Sequence, residues 1–274
     1  VLLLALDTAT PAVTVALHDG QAVLAASHQV DARRHGELLL PAVHRVLTMA
    51  SVTPGDLTDI VVGVGPGPYT GLRVGLATAA AFGAALDIPV RGLCTLDGIA
   101  YAAGQAGLTG PFVVATDARR KEVYWARYAD ARTRITEPAV DRPADIADAL
   151  AGLPVVGAGG TLYRAVFAAA AGGHGKRDAG TAPGIGSTPS EVPEVPDVSE
   201  GSASGVSPEP KVLAAVPVAA AASRELPEYQ SAAALAALAV EMLAAGEEFL
   251  PDRPLYLRRP DAQVPANYKV VTPK

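Results

Sequence analysis

Gly63-Val64-Gly65-Pro66-Gly67-Pro68-Tyr69-Thr70-Gly71 stands between a short apolar run at residues 60–64 and a longer apolar stretch at 72–86. The spacing reads as strand, tight glycine loop, helix. A helix start presents unpaired backbone N–H groups and partial positive charge, so such a loop can hold an anion. No Lys-Ser/Thr follows, which excludes a Walker loop, and the glycine spacing does not fit the dinucleotide fingerprint. The other reading is a strand-to-helix turn that needs glycine for positive φ angles. The loop alone leaves both open.

The helix after it is more informative. Between residues 72 and 86 the only charge is Arg73. Gly71, Gly75, Ala79 and Gly83 recur every four residues and make one flat stripe that admits close approach of another backbone. Leu72, Val74, Leu76, Phe82 and Leu86 cover the other faces. A helix apolar all round must be covered all round, and this one is shorter than the ~20 residues of a membrane span. Its cover is either its own lobe or, on one face, a partner protein.

Outward from the loop, strands are expected at 1–6, 13–18, 21–30 and 90–93. Helices are expected at 38–50, bent or begun near Pro41, and after Thr95 as N-cap. The second half repeats this order, with strands at 112–116, 122–128 and 134–140, a short helix at 144–150 and a strand at 154–157. Each half opens with a three-stranded meander whose first strand ends in an aspartate, Asp7 or Asp117. That is the pattern of a duplicated α/β fold. Residues 1–108 and 109–274 are the expected lobes. Residues 171–211, dense in Gly, Ser, Pro and Glu, are an expected disordered insertion. Ser231 is the expected cap of an Ala/Leu helix reaching about residue 245, and 255–260 should be extended.

The chain has 274 residues, half of them apolar and 18% charged, with a formal net charge of −6. An acidic chain does not bind nucleic acid strongly by itself, though a site shared with a partner stays open. Cys94 is the only cysteine, which rules out an internal disulfide, and it is expected as a small core residue beside strand 90–93. The apolar start lacks a basic leader region, and no uninterrupted apolar run is long enough to span a membrane, so a cytoplasmic protein is expected. The five histidines, 18, 28, 35, 44 and 174, include no pair three to five residues apart, so no helical metal-ligand pair exists.

Leu4-Ala5-Leu6-Asp7-Thr8-Ala9-Thr10, His35 with Leu38-Leu39-Leu40-Pro41, the string Gly65 to Gly75, Thr95-Leu96, Asp117-Ala118-Arg119, Glu122-Val123-Tyr124-Trp125 and Tyr256-Leu257-Arg258 together resemble the TsaB family. That family is the non-catalytic paralogue of the TsaD/Kae-type threonylcarbamoyltransferase. The resemblance implies an actin-like, sugar-kinase-like (ASKHA) fold of two related lobes. It also implies a part in making N6-threonylcarbamoyladenosine at position 37 of tRNAs that read ANN codons. TsaD would be the direct partner and the catalyst, TsaE would act within the complex, and tRNA would be met through the complex. A homodimer is one form open to the chain when alone, and no membrane is involved.

By the same likeness the first-lobe helices form the partner interface, with His35, Leu38, Leu39, Leu72, Arg73, Gly75, Leu76, Ala79 and Gly83 as its residues. No catalytic residue and no metal ligand is assigned. Asp7 and Asp117 could position Mg-nucleotide in this fold, beside Gly65, Gly67, Gly159 and Gly160 as a degenerate nucleotide site; the favoured reading is that the two aspartates cap turns. The chain is expected to need no cofactor of its own, while ATP or ADP could bind weakly or at the interface. Arg119, Arg120, Lys121, Arg258 and Arg259 are either ordinary solvated charges, the favoured reading, or a small basic rim for tRNA. The rivals to a scaffold subunit are an independent ATPase or phosphotransferase of the same fold and a protease, the latter without a Ser/His/Asp or metal pattern to support it.

Overall fold

The computed structural model describes residues 1–173, 211–213 and 225–258. Its larger sheet is built outward from β1 (Leu3–Asp7). β1 pairs antiparallel with β2 (Ala12–His18), and β2 with β3 (Val23–Val30). The β2–β3 turn is held by Asp19, whose Oδ1 accepts from the backbone N–H of Gln21 and of Ala22, with Gly20 at φ +93°. On its other side β1 pairs parallel with β4 (Asp59–Gly63), and β4 with β5 (Val90–Leu93). The two parallel connections run through α1 (His35–Met49) and α2 (Tyr69–Leu86).

β1 and β4 are buried on both faces. Leu4 and Leu6 point to one side, where Leu39, Val43 and Val46 of α1 and Leu72, Leu76 and Ala79 of α2 meet them. Leu3 and Ala5 point to the other, the period-two alternation of a strand. That second face is covered by α3 (Thr95–Gln105) and by the last described helix, α7 (Ala232–Ala245), through Tyr101, Leu235, Leu238 and Ala239.

The second sheet repeats the plan at smaller size. It comprises β6 (Phe112–Asp117), β7 (Val123–Tyr128), β8 (Ala139–Asp141) and β9 (Val155–Val156). Its order β8-β7-β6-β9 matches β3-β2-β1-β4 of the first, antiparallel through the meander and parallel at the crossover. The helices around it are α4 (Pro143–Ile146), α5 (Ala158–Leu162) and α6 (Arg164–Gly173). The duplication legible in the sequence is therefore present as a repeated strand order.

Several expectations change. β10 (Lys211–Leu213) adds to the far edge of the first sheet beside β3, and α7 covers that same sheet. Residue 108 falls between β5 and β6, and the chain returns to the first sheet after the second. Thr95 is not the cap of α3; Cys94 takes that position, and the Thr95 hydroxyl is used elsewhere. The third strand expected at 134–140 is reduced to 139–141 plus an isolated bridge between Tyr128 and Arg134, whose guanidinium turns to Asp97. Ser231 caps α7 as expected, its Oγ accepting from the Ala234 N–H, and Gly246 ends the helix at φ +68°. The insertion expected at 171–211 lies outside the described residues except at its edges.

Candidate functional site

The glycine loop is packed against the turn that follows β1. Thr8 donates from Oγ1 to the Gly71 carbonyl at 2.7 Å and accepts from the Gly75 N–H at 3.0 Å. A Cβ on Gly71 would sit 2.5 Å from the Thr8 carbonyl oxygen, and one on Gly75 2.6 Å from Thr8 Oγ1. Gly67 meets the Ala9 carbonyl and Gly63 meets the Asp7 carboxyl in the same way. Gly65, at φ +96°, exchanges hydrogen bonds with Thr95, its N–H reaching Oγ1 at 3.2 Å and its carbonyl accepting from the Thr95 N–H at 2.8 Å. These glycines let two turns touch.

Asp7 lies beneath this contact with no exposed surface. Its Oδ1 accepts from the Ala9 N–H and its Oδ2 from the Thr95 hydroxyl, each at 2.8 Å. Burial pushes its carboxyl up to about 6, against the pull of those two donors. Asp117, at the equivalent end of β6, accepts from the Arg119 N–H and lines a cleft of about 280 Å³ between the sheets. The first lobe contributes Thr8, Thr10, Arg33, His35 and Thr70 to that cleft, and His35 Nε2 donates to the Thr10 carbonyl at 2.8 Å.

The six residues offered as a nucleotide site do not share one cleft. Asp117 alone faces the cleft. Asp7 caps a buried turn, and Gly65 and Gly67 are consumed in the loop contact. Gly159 and Gly160 seat α5 on the second sheet, where a Cβ would press on the Ala115 and Val155 carbonyls. Among the described residues no group of three or more His, Cys, Asp or Glu could hold a metal, and no helix is long and apolar enough to cross a membrane.

The residues offered as a partner interface divide by face. Leu39, Leu72, Leu76, Gly75, Ala79 and Gly83 are buried against the chain's own sheet, and His35 is buried in the cleft wall. A side chain covered by its own lobe has no surface left for a partner, so the four-residue glycine stripe faces inward. Arg73 is exposed and Leu38 half-buried. The outward face of α2 carries Ala77, Ala80, Ala81, Ala84 and Ala85, and that of α1 carries Leu40, Pro41 and His44. Leu40 is 55% exposed. The signal for this face was present in the sequence as a second four-residue series, 73, 77, 81 and 85, which periodicity alone could not distinguish from the first.

A family model described as TsaD, tRNA N6-adenosine threonylcarbamoyltransferase, matches residues 27–163. The Escherichia coli protein named tRNA threonylcarbamoyladenosine biosynthesis protein TsaB is 36% identical over 127 residues, 46% of this chain and 54% of that protein. YeaZ from Pseudomonas aeruginosa, a solved structure, superposes with a TM-score of 0.62 at 25% identity, covering 93% of this chain and 99% of its own. The chain belongs to the TsaB family. An uncharacterized Mycobacterium tuberculosis protein is 52% identical over 158 residues, 55% of this chain and 72% of its own length. The curated TsaB proteins are named for threonylcarbamoyladenosine biosynthesis, and membership ties the chain to that process. With the repeated strand order, the likeness to YeaZ also makes the fold an α/β one of the actin-like, sugar-kinase-like class.

Proposed function

We propose that the chain is a non-catalytic subunit of the complex that forms N6-threonylcarbamoyladenosine on tRNA, paired directly with a TsaD-type catalyst. The observation that carries this reading is the outer layer of α1 and α2. Two neighbouring helices expose alanines, Leu40 and Pro41 with few charges, while the aspartate that would serve a nucleotide is sealed under the glycine loop. Small side chains on an exposed helix admit a second helix at short range. The withdrawn carboxylate explains why the cleft lacks half of the paired-aspartate arrangement. On this reading the same face takes a second copy of the chain when TsaD is absent, TsaE joins the assembled pair, and ATP or ADP is a ligand of the assembly.

Co-purification with the TsaD-type protein of the same organism tests the reading. Leu40→Asp and Ala81→Glu place charge on the outward face without touching the core, so each should weaken pairing at least about tenfold while the free chain melts within a few degrees of wild type. Pairing unchanged in both variants, or ATP turnover at enzyme-like rates by the free chain, would defeat it.

A further inference from the structure

On this chain of net charge −6, a group of cations stands around the inter-lobe cleft. Arg33 and Arg119 line the cleft itself. Arg120 and Lys121 continue the β6–β7 turn and are exposed. Arg258 joins them, donating from Nη1 to the Ala118 carbonyl at 3.2 Å. Arg73 lies on the other side of the same C-terminal strap, its Nε donating to Tyr256 Oη at 3.3 Å. Within this set Arg119 pairs with Asp117 at 3.3 Å and Arg258 pairs with Glu122.

Two further features mark the rim. Tyr69 and Tyr256 stack with ring centroids 5.2 Å apart and stay 44% and 41% exposed, and the Arg73 guanidinium sits 3.8 Å over the Tyr69 ring. Arg119, Arg120 and Lys121 hold φ of +62°, +55° and +61°, three successive left-handed residues without a glycine among them. Such residues cost roughly 1–2 kcal/mol each in the left-handed region, where glycine would be free of strain. The turn is pinned by Asp117 at its start and by the Glu122 N–H bonded to the Arg119 carbonyl. Strain kept in order to present three cations points to use of the cations.

We propose that this rim is an RNA-contact surface, with Arg33, Arg119, Arg120 and Lys121 on backbone phosphates and the Tyr69–Tyr256 pair as a stacking platform for an unpaired base. Interleaved cations and exposed rings are what a single-stranded or looped RNA requires, because phosphates call for charge and every base has a stacking face. A protein surface would have to be strongly acidic to meet the same set. The proposal deepens the tRNA reading above by giving this chain its own contact with the RNA. Charge complementarity on the molecule supports it independently of TsaD.

The test uses the full chain alone, so that failure to pair with TsaD leaves it intact. A fluorescently labelled tRNA anticodon stem-loop is titrated with wild type, with Arg120→Gln/Lys121→Gln and with Tyr256→Ala, from low to moderate salt, each protein first checked by thermal melting. Wild type should bind in the micromolar range at low salt. The double variant should bind at least about tenfold more weakly, with its log-affinity against log-salt slope smaller by about 1.4, two contacts at roughly 0.7 each. Tyr256→Ala should weaken binding with the slope unchanged. Wild type without measurable affinity, or variants that bind RNA as wild type does, would overturn the assignment. Loss of TsaD pairing with RNA affinity unchanged would overturn it too, and would make the rim a protein interface.

Discussion

Asp7 is a buried carboxyl with two donors and no counter-cation among its hydrogen-bond partners, and its properties follow from that imbalance. Its proton is held up to about 6, above the 3.8 of an open chain, because burial penalises the charged form more than Ala9 and Thr95 stabilise it. The native state therefore binds the proton more tightly than the unfolded state. The group's contribution to stability is full below about pH 3.8 and is lost as pH rises through 6, a swing of about 3 kcal/mol. Asp7→Asn keeps an acceptor for the Ala9 N–H and has no charge to bury. The difference between its unfolding free energy and that of wild type should grow in its favour from pH 4 to pH 7.5, measured by urea denaturation. An asparagine variant that loses stability equally at both ends would show that the carboxylate is held by something stronger than these two bonds. Cys94 follows the same logic, since burial pushes its thiol up to about 12. A thiol reagent at pH 8 should label it only after denaturant is added, and rapid labelling of the folded chain would contradict the buried placement.

At the scale of the element, α2 decides between two superposed patterns. Its glycine series and its alanine series have the same period, and only contact with the turn after β1 assigns the glycines inward. Gly75 lies in that contact, where a Cβ would sit 2.6 Å from Thr8 Oγ1 and 3.6 Å from the Leu6 side chain. Gly75→Leu should therefore unfold or severely destabilise the free chain, by 3 kcal/mol or more on the order of other overpacked core sites, as read by thermal melting without any partner present. A Gly75→Leu chain that melts like wild type would return the stripe to the surface. Leu40→Asp, one helix away on the exposed face, should behave oppositely, sparing the melt and weakening the pairing. The loop before α2 was legible as glycine-dependent from its composition. Its purpose was not, because the Thr8 side chain that occupies it lies more than sixty residues away in the chain.

For the whole molecule, the segment after residue 225 ties both lobes together. The Glu228 carbonyl accepts from the Ala158 N–H of the second lobe, and two residues farther along the chain the buried Gln230 bonds Thr10 and the Ala12 carbonyl of the first. Farther on, the Leu255 N–H donates to the Val64 carbonyl before Arg258 reaches Ala118 across the cleft. A third tie joins α3 to the β7–β8 connection, where Arg134 grips both oxygens of Asp97 and the Tyr128 hydroxyl donates to one of them. The cleft is thus framed by straps that bring Tyr256 and Arg258 from the end of the described chain to the basic turn at 119–121. The RNA titration above belongs to this scale, since no single element contains the surface it tests.

Most of the strands, the order of helix and strand, the duplication and the Ser231 cap were determined by local rules, in which period, turn chemistry and capping depend on near neighbours. Burial of the central strands also follows from their unbroken apolar runs. Which face of α2 looks inward, the sealing of Asp7, the return of α7 and β10 to the first sheet and the gathering of cations on one rim were decided only by tertiary structure. The glycine loop shows the physical reason. Its residue types state that something must come very close, and only the folded chain brings the turn after β1 there.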